Sequence, residues 1–294
     1  MSLTFSITPR TRLLRRHRSM TVGEVFALRE PDHLVLQADD DEELGALWHA
    51  PLSKVVVLGG SYEQSGRGFE LSYERGAYRV RQFTPSTLTD WRIALDLLSS
   101  LARHLDAEIT SEDGTDWTAE TITGFDARSD VRAGLRAMSG HEEGPATMPG
   151  FVRPFTPSEG TWRRILSAED PPTAFSEEFE TVQRIEAFDA SQGLRPGPDG
   201  DPVGLYVLTE GVPTVLPRAP MPEPWMRDEA GGEVDSWELV LVAGDEELDE
   251  VGSAPFGDAL RRVPEEKLHD LDAASILVDA LDGDEIRRVA GLDD

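Results

Sequence analysis

The chain has 294 residues, 39% of them hydrophobic and 29% charged, which is the balance of an ordinary folded protein and not of a disordered one. It contains no cysteine, so disulfide scaffolds, thiolate nucleophiles, zinc fingers and iron–sulfur clusters are excluded. The longest apolar runs have the length of a strand, and we predict no membrane-spanning helix and no membrane partner. The N-terminal arginines follow the first apolar residues, the reverse of a signal peptide, so we expect a cytoplasmic location.

The net charge of −28 is unevenly distributed along the chain. Residues 1–110 contain 13 Lys and Arg against 15 Asp and Glu, whereas residues 111–294 contain 15 against 41. Such a field repels nucleic acids, so we expect no nucleic-acid partner, and it is compatible with a basic protein partner. Five arginines within residues 10–18 form a basic patch, which we interpret as a solvated loop. The acidity itself is interpreted mainly as a source of solubility.

The first 60 residues contain signals for both strands and helices. Residues 3–7 alternate between apolar and polar side chains and predict a strand. Thr21 and Glu24 form a Thr-x-x-Glu capping box, which predicts a helix that ends before Pro31. Further strands are predicted at residues 33–37 and 54–58, with a short helix through residues 44–48 between them.

Residues 68–83 predict a β-hairpin, because two segments of alternating polarity flank a short turn at Arg75 and Gly76. A loop of residues 74–77 gives the same pairing. The paired positions are Tyr73 with Tyr78 and Leu71 with Val80 on an apolar face, and Glu70 with Arg81 and Ser72 with Arg79 on a polar face.

The segment that follows the hairpin predicts a long amphipathic helix. Thr87 is the predicted N-cap with Asp90 at the third position, and apolar residues recur at helical spacing as far as Leu105. Trp91 lies on the apolar stripe. We interpret it as an anchor of the core, and the alternative is a residue that stacks on a ligand.

A seven-residue motif occurs twice in the chain. Residues 80–86 and 152–158 are identical at six of seven positions, and a Trp-Arg pair follows each copy. An ancestral duplication predicts that the similarity extends over a whole structural unit. The alternative is a turn that recurs where a strand leads into a helix.

The C-terminal half predicts a second group of strands and helices. A helix is predicted from Thr173 or Ser176 to a point before Gly193, and a strand at residues 237–242. Residues 205–209 and 212–216 predict a second hairpin, and the chain from residue 253 onward is predicted to be mostly helical.

Together these elements predict an α+β fold with mainly antiparallel sheets built from hairpins and packed helices. Residues 141–150 are rich in Gly, Pro and Glu and are the predicted linker. The predicted subdomains are therefore residues 1–140 and an acidic subdomain of residues 151–294, of similar size.

The sequence contains no motif of catalysis, nucleotide binding or metal binding. The glycines at residues 59–68 lead into a strand without the Lys-Ser/Thr of a phosphate loop, and the six histidines lack metal-ligand spacing. We therefore predict no cofactor and no metal, and the catalytic residues stay unknown. The least arbitrary candidate site for an anionic ligand comprises Arg67, Glu70, Arg79 and Arg81, because arginines bind anions with paired hydrogen bonds. The alternative is that these residues form the polar outer face of the hairpin.

Motifs along the chain resemble those of a family of uncharacterised bacterial proteins catalogued only as a domain of unknown function. The resemblance covers nearly the whole chain and implies no activity, cofactor or catalytic residue. It depends on residues 2–5, 66–73, 78–81, 84–86, 90–91, 204–210, 216–217 and 271–273.

These observations favour a non-catalytic protein-interaction or accessory protein whose acidic half binds a basic partner. The alternative is an enzyme or a binder of a small anionic ligand, with its site near the hairpin of residues 68–83.

Overall fold

The structure is a computed structural model. It describes residues 2–10, 18–28, 35–36, 41–139, 146–198, 200–223, 226, 233–244 and 249–292. The chain divides into two compact units, Met1–Arg184 and Ile185–Asp294. Both units combine helices with antiparallel-rich sheets, which confirms the predicted α+β class. Within the described ranges, every helix is too short or too polar to cross a bilayer.

The first unit is built on a seven-stranded sheet in which all neighbouring strands are antiparallel. The strand order is β2-β3-β4-β5-β1-β6-β7, so the N-terminal strand pairs in the middle of the sheet. The strands are β1 (Ser2–Ile7), β2 (Val35–Leu36), β3 (Val57–Gly60), β4 (Phe69–Glu74), β5 (Ala77–Phe83), β6 (Ile109–Ser111) and β7 (Asp116–Trp117).

The helices of the first unit begin at residues that the sequence marks as caps. Thr21 and Thr87 each form the predicted capping box, with Glu24 and Asp90 respectively. The helices are α1 (Val22–Phe26), α2 (Asp41–His49), α3 (Leu88–Leu105), α4 (Ala127–Ser139), α5 (Glu159–Ser167) and α6 (Pro171–Gln183). Pro31, the predicted stop of α1, lies outside the described residues.

Helix α3 buries its apolar stripe in the core of the first unit. The Trp91 ring stacks on Phe125 with the centroids 4.8 Å apart and meets Phe5 edge-on at 6.1 Å. Trp91 is 1% exposed. The geometry is that of a core anchor and not of a surface that stacks on a ligand.

The predicted hairpin is present as β4 and β5, in the predicted register. Arg75 and Gly76 form the turn with φ angles of 52° and 87°, as two-residue hairpin turns of the primed type require. The pairs are Tyr73 with Tyr78, Leu71 with Val80, Glu70 with Arg81 and Ser72 with Arg79.

Two glycines of this hairpin provide a matched test of backbone strain. Gly68 has a φ of +69°, and a Cβ there would lie 2.5 Å from the Gly59 carbonyl oxygen, whereas Gly76 has a φ of +87° and open space around it. We expect Gly68→Ala to cost about 2–4 kcal/mol of unfolding free energy, from left-handed strain plus overpacking. Gly76→Ala carries the strain alone and is expected to cost about 1 kcal/mol. Urea denaturation of the two variants measures the difference, and equal costs would contradict the role of the Gly59 contact.

The two copies of the repeated motif both lie directly before a helix, but their backbone conformation and strand pairing differ. In residues 80–86 the motif runs from β5 through a cis Thr84–Pro85 bond to the N-cap of α3. In residues 152–158 it contains the isolated bridge residue Phe155, and Ser158 is the N-cap of α5. A recurrent lead-in to a helix therefore describes both copies.

The predicted linker at residues 141–150 lies only partly within the described residues. The chain that follows it packs in the first unit, where Phe151 donates its backbone N–H to the Gly66 carbonyl (2.8 Å) and is itself fully buried. The subdomains 1–140 and 151–294 stay a prediction, and the compact units divide at a different place, between Arg184 and Ile185.

The second unit contains two four-stranded sheets, ordered β13-β12-β10-β9 and β14-β15-β11-β8. One hydrophobic core combines side chains of both sheets with those of two helices, among them Tyr206, Leu216, Leu241, Ile276 and Ile286. The elements are β8 (Phe188–Asp189), β9 (Gln192–Pro196), β10 (Pro202–Thr209), β11 (Thr214–Pro217), β12 (Ser236–Ala243), β13 (Asp249–Pro255), α7 (Phe256–Leu260), β14 (Leu268–Asp270), β15 (Ser275–Val278) and α8 (Gly283–Ala290).

The predicted hairpin at residues 205–216 is wrong, although both of its strands exist. Strand β10 pairs with β9 and, in parallel, with β12, while β11 pairs with β15 and β8 in the other sheet. The chain changes sheets at Gly211, whose backbone N–H donates to the Leu281 carbonyl. Strand β10 instead forms a hairpin with β9, the strand before it, so the turn at residues 210–211 connects two sheets and does not pair β10 with β11.

Two helix predictions in this half are also corrected. Helix α6 begins earlier than predicted, with Pro171 in its first turn, and ends at Gln183, so that Phe188 lies in β8 instead of on a helical face. The region after residue 253 contains β14 and β15 besides its helices. Pro255 and Pro264 are the N-cap residues of two short helical turns, which lie before β14. Strands β14 and β15 are too short for their side-chain alternation to distinguish a strand from a helix.

Candidate functional site

Three of the four predicted site residues lie on the exposed polar face of the hairpin. Arg79 forms an ion pair with Glu74 (2.8 Å), and Arg81 forms one with Glu70 (3.3 Å). The two arginine side chains are 43% and 45% exposed. Exposed pairs of this kind satisfy each other's charge, which is the arrangement expected of a hairpin's outer face. A role of these residues in ligand binding stays a prediction.

Arg67 is held differently, because its backbone is fixed by a buried carboxylate. Asp90, fully buried in the first turn of α3, accepts hydrogen bonds from the backbone N–H groups of Arg67 (2.9 Å) and Gly68 (3.0 Å). It also accepts from the Ser86 hydroxyl (3.1 Å) and the Thr87 N–H (3.2 Å). The start of β4 is thereby joined to the start of α3.

The Arg67 side chain is oriented by main-chain carbonyls and an aromatic ring. Its Nε donates to the Pro149 carbonyl (3.1 Å) and its Nη1 to the Pro85 carbonyl (2.8 Å). The guanidinium carbon lies 4.9 Å from the centroid of the Phe83 ring. Among the described residues, no carboxylate forms an ion pair with Arg67, and its Nη2 has no hydrogen bond.

Arg67 also lines a cavity of about 250 Å³, which we call the Arg67 pocket. The described residues that line it are Arg67, Thr84, Gly134, Ala137, Met138, Thr147, Met148 and Pro149. Apart from the guanidinium and two threonine hydroxyls, its side chains are apolar. A Cβ on Gly134 would lie 2.8 Å from the Pro85 nitrogen, so glycine is what lets α4 approach this wall.

Burial changes the pKa of three groups in this region. Desolvation, partly opposed by the attraction of Asp90, lowers the pKa of Arg67 to about 10. Burial raises the pKa of Asp130, which accepts a hydrogen bond from the Thr84 hydroxyl (3.3 Å). Burial also raises the pKa of Glu180 on α6. Arg67 stays protonated at neutral pH, and it is the only one of the three that lines the pocket.

Sequence reasoning found Arg67 but missed the other walls of its pocket. Thr84, Gly134 and Met148 come from three separate segments, which only the tertiary fold brings together. The available signal was Gly66 and Gly68 on either side of Arg67. A Cβ at Gly66 would overlap the Thr87 side chain, so these glycines indicate a close approach of backbone to α3.

A second candidate surface is the charged exterior of the second unit. Residues 185–294 contain 27 Asp and Glu against 8 Lys and Arg, a net charge of −19. Several carboxylates here are exposed and form no ion pair within the described part of the chain, among them Glu233, Asp235, Asp249, Glu250, Glu265 and Glu266. In the described residues no group of three or more His, Asp or Glu is placed to hold a metal ion.

The comparison with known proteins identifies the family. A family model described as a domain of unknown function (DUF4299) matches residues 2–289. No curated protein and no solved structure matches the chain. The match covers almost the whole sequence, and it confirms the resemblance to a domain of unknown function. The chain belongs to the DUF4299 family.

Proposed function

We propose that the chain is a non-catalytic interaction or accessory protein of the bacterial cytoplasm, and that its second unit binds a basic protein. The charge of that unit carries the proposal, because 27 acidic residues are balanced by only 8 basic ones. A field of this sign raises the rate at which a basic partner associates and repels nucleic acid. The exposed carboxylates that form no ion pair within the described residues are accessible to a basic partner.

Co-purification from the native host tests the proposal. The tagged full-length chain is expected to recover a basic protein in stoichiometric amount at low salt and to lose it at high salt, because salt screens charges at the surface. Recovery of no stoichiometric partner at either salt concentration would contradict the proposal, and so would a partner whose binding does not depend on salt.

A pair of charge-matched variants identifies the unit that binds. Glu265→Gln with Glu266→Gln removes two exposed charges from the second unit, and Glu63→Gln with Glu120→Gln removes two from the first. We expect Glu265→Gln with Glu266→Gln to slow association with the recovered partner about twofold or more, and Glu63→Gln with Glu120→Gln to leave the rate nearly unchanged. At physiological salt, only charges near the binding surface strongly affect the association rate. Stopped-flow association rates measure both, and equal effects would contradict binding through the second unit.

A further inference from the structure

We propose that the Arg67 pocket binds the carboxylate of a small organic anion. The site lies within the first unit, and the proposal does not depend on the partner of the second. Three observations carry it: a cation fixed in place, a hydrogen-bond donor on that cation with no partner among the described residues, and apolar side chains in the lining.

The guanidinium is positioned before any ligand arrives. The carbonyls of Pro149 and Pro85 and the ring of Phe83 hold it, and Asp90 holds the backbone beneath it. A donor that is already ordered loses little conformational entropy when it binds a ligand. Nη2 has no partner among the described residues, and a bound anion supplies one.

Arg67 is the one charged side chain in the described lining of the pocket, and its attraction to Asp90 compensates part of that charge. The described lining contains no Asp or Glu, although the protein as a whole has a net charge of −28. A cation that has lost part of its hydration gains more from an anion than an exposed cation does. Two carboxylates are hydrogen-bonded to residues at this site: Asp90 accepts from the backbone N–H groups of Arg67 and Gly68, and Asp130 accepts from the hydroxyl of Thr84, a lining residue.

A second cavity in the first unit also contains an arginine, but that arginine has a carboxylate partner. It lies between α5 and α6, has a volume of about 380 Å³ and also contains an arginine, Arg164. That guanidinium forms an ion pair with Glu178 (2.9 Å), and Glu177 lines the same cavity. An anion would meet two carboxylates there. The Arg67 pocket differs because its described lining contains no carboxylate that could form an ion pair with the arginine.

The lining favours a carboxylate over a phosphate. One guanidinium matches a single negative charge with planar geometry, whereas phosphate sites commonly add a second cation or the N–H groups of a helix N-terminus. Met138, Met148 and Ala137 offer polarisable and apolar surface for the organic part of the ligand. The volume of about 250 Å³ lies below the roughly 300–1,000 Å³ of sites for drug-sized ligands, so the ligand is small.

Calorimetric titration of the full chain with benzoate tests the site, with benzyl alcohol as the neutral analogue and inorganic phosphate as the alternative anion. We expect benzoate to bind, and benzyl alcohol and phosphate to bind at least tenfold more weakly. Arg67→Gln is expected to weaken benzoate binding by tenfold or more. Arg163→Gln is the matched control, because it removes an exposed arginine of the first unit that already has a carboxylate partner, Glu159, and it is expected to bind as the unchanged protein does.

A second variant separates loss of the site from loss of the fold. Ala137 is an exposed residue of α4 at the edge of the pocket, so Ala137→Phe fills the cavity while Arg67 and its backbone contacts stay in place. We expect this variant to keep the circular dichroism spectrum of the unchanged protein and to lose benzoate binding. Absence of benzoate binding in the unchanged protein would overturn the proposal. So would undiminished binding in either Arg67→Gln or Ala137→Phe, or phosphate binding as tight as that of benzoate.

Discussion

Asp90→Asn is expected to lower the free energy of unfolding by about 3 kcal/mol or more, since each lost hydrogen bond to a buried charged group costs about 1.5–3 kcal/mol. Both carboxylate oxygens accept main-chain N–H groups: Oδ1 accepts from Gly68, and Oδ2 from Arg67 and Thr87. An asparagine has one oxygen. Its NH₂ group must therefore face at least one buried N–H, which leaves that donor unpaired.

Asp106→Asn is the matched control for this substitution. Asp106 ends α3 with a left-handed φ of 49°, which asparagine adopts well, and its side chain is 90% exposed. The expected change is within about 0.5 kcal/mol, as for most surface substitutions. Chemical denaturation followed by circular dichroism measures both variants. A cost for Asp90→Asn no larger than that for Asp106→Asn would show that the Asp90 contacts do not stabilise the first unit.

Residues 68–105 were predictable because their structure is encoded locally. The register of the hairpin follows from a period of two and a two-residue turn, and the start of α3 follows from Thr87 and Asp90. The exposed ion pairs of Arg79 and Arg81 follow from the same register. The same short-range pattern therefore predicted the candidate residues and the polar face on which they lie.

The Arg67 pocket was not predictable beyond its arginine. The sequence predicts Asp90 as a capping residue of α3, and the structure confirms that cap. The same carboxylate also accepts a hydrogen bond from the backbone N–H of Arg67, which the sequence did not predict. Met148 and Gly134 line the pocket because of tertiary packing. The pattern of apolar and polar residues within a single strand or helix does not predict that packing. In the same way, β10 and β11 resemble a hairpin in sequence but join different sheets, because β9 and β12 occupy the edges of β10, and β8 and β15 those of β11.

Trp91→Ala is expected to lower the free energy of unfolding by about 3–5 kcal/mol, the usual cost of removing a large buried aromatic side chain. The indole is 1% exposed and lies between the rings of Phe125 and Phe5, so its removal leaves a cavity that rigid neighbours cannot fill. Trp91→Phe is expected to cost less than half as much. The buried Nε1 has no hydrogen-bond partner in the described structure, and phenylalanine removes that unpaired donor.

Trp48→Ala provides the comparison for the same change of side chain. Trp48 is 37% exposed and meets Phe26 edge-on at a centroid distance of 6.1 Å. Its removal exposes less apolar surface and leaves no enclosed cavity, so the expected cost is about 1–2 kcal/mol. Urea denaturation of the two alanine variants and the unchanged protein is expected to give the order Trp91→Ala, Trp48→Ala, unchanged protein, from least to most stable. If Trp91→Ala were as stable as Trp48→Ala, the stacked cluster would not be the anchor of the first unit.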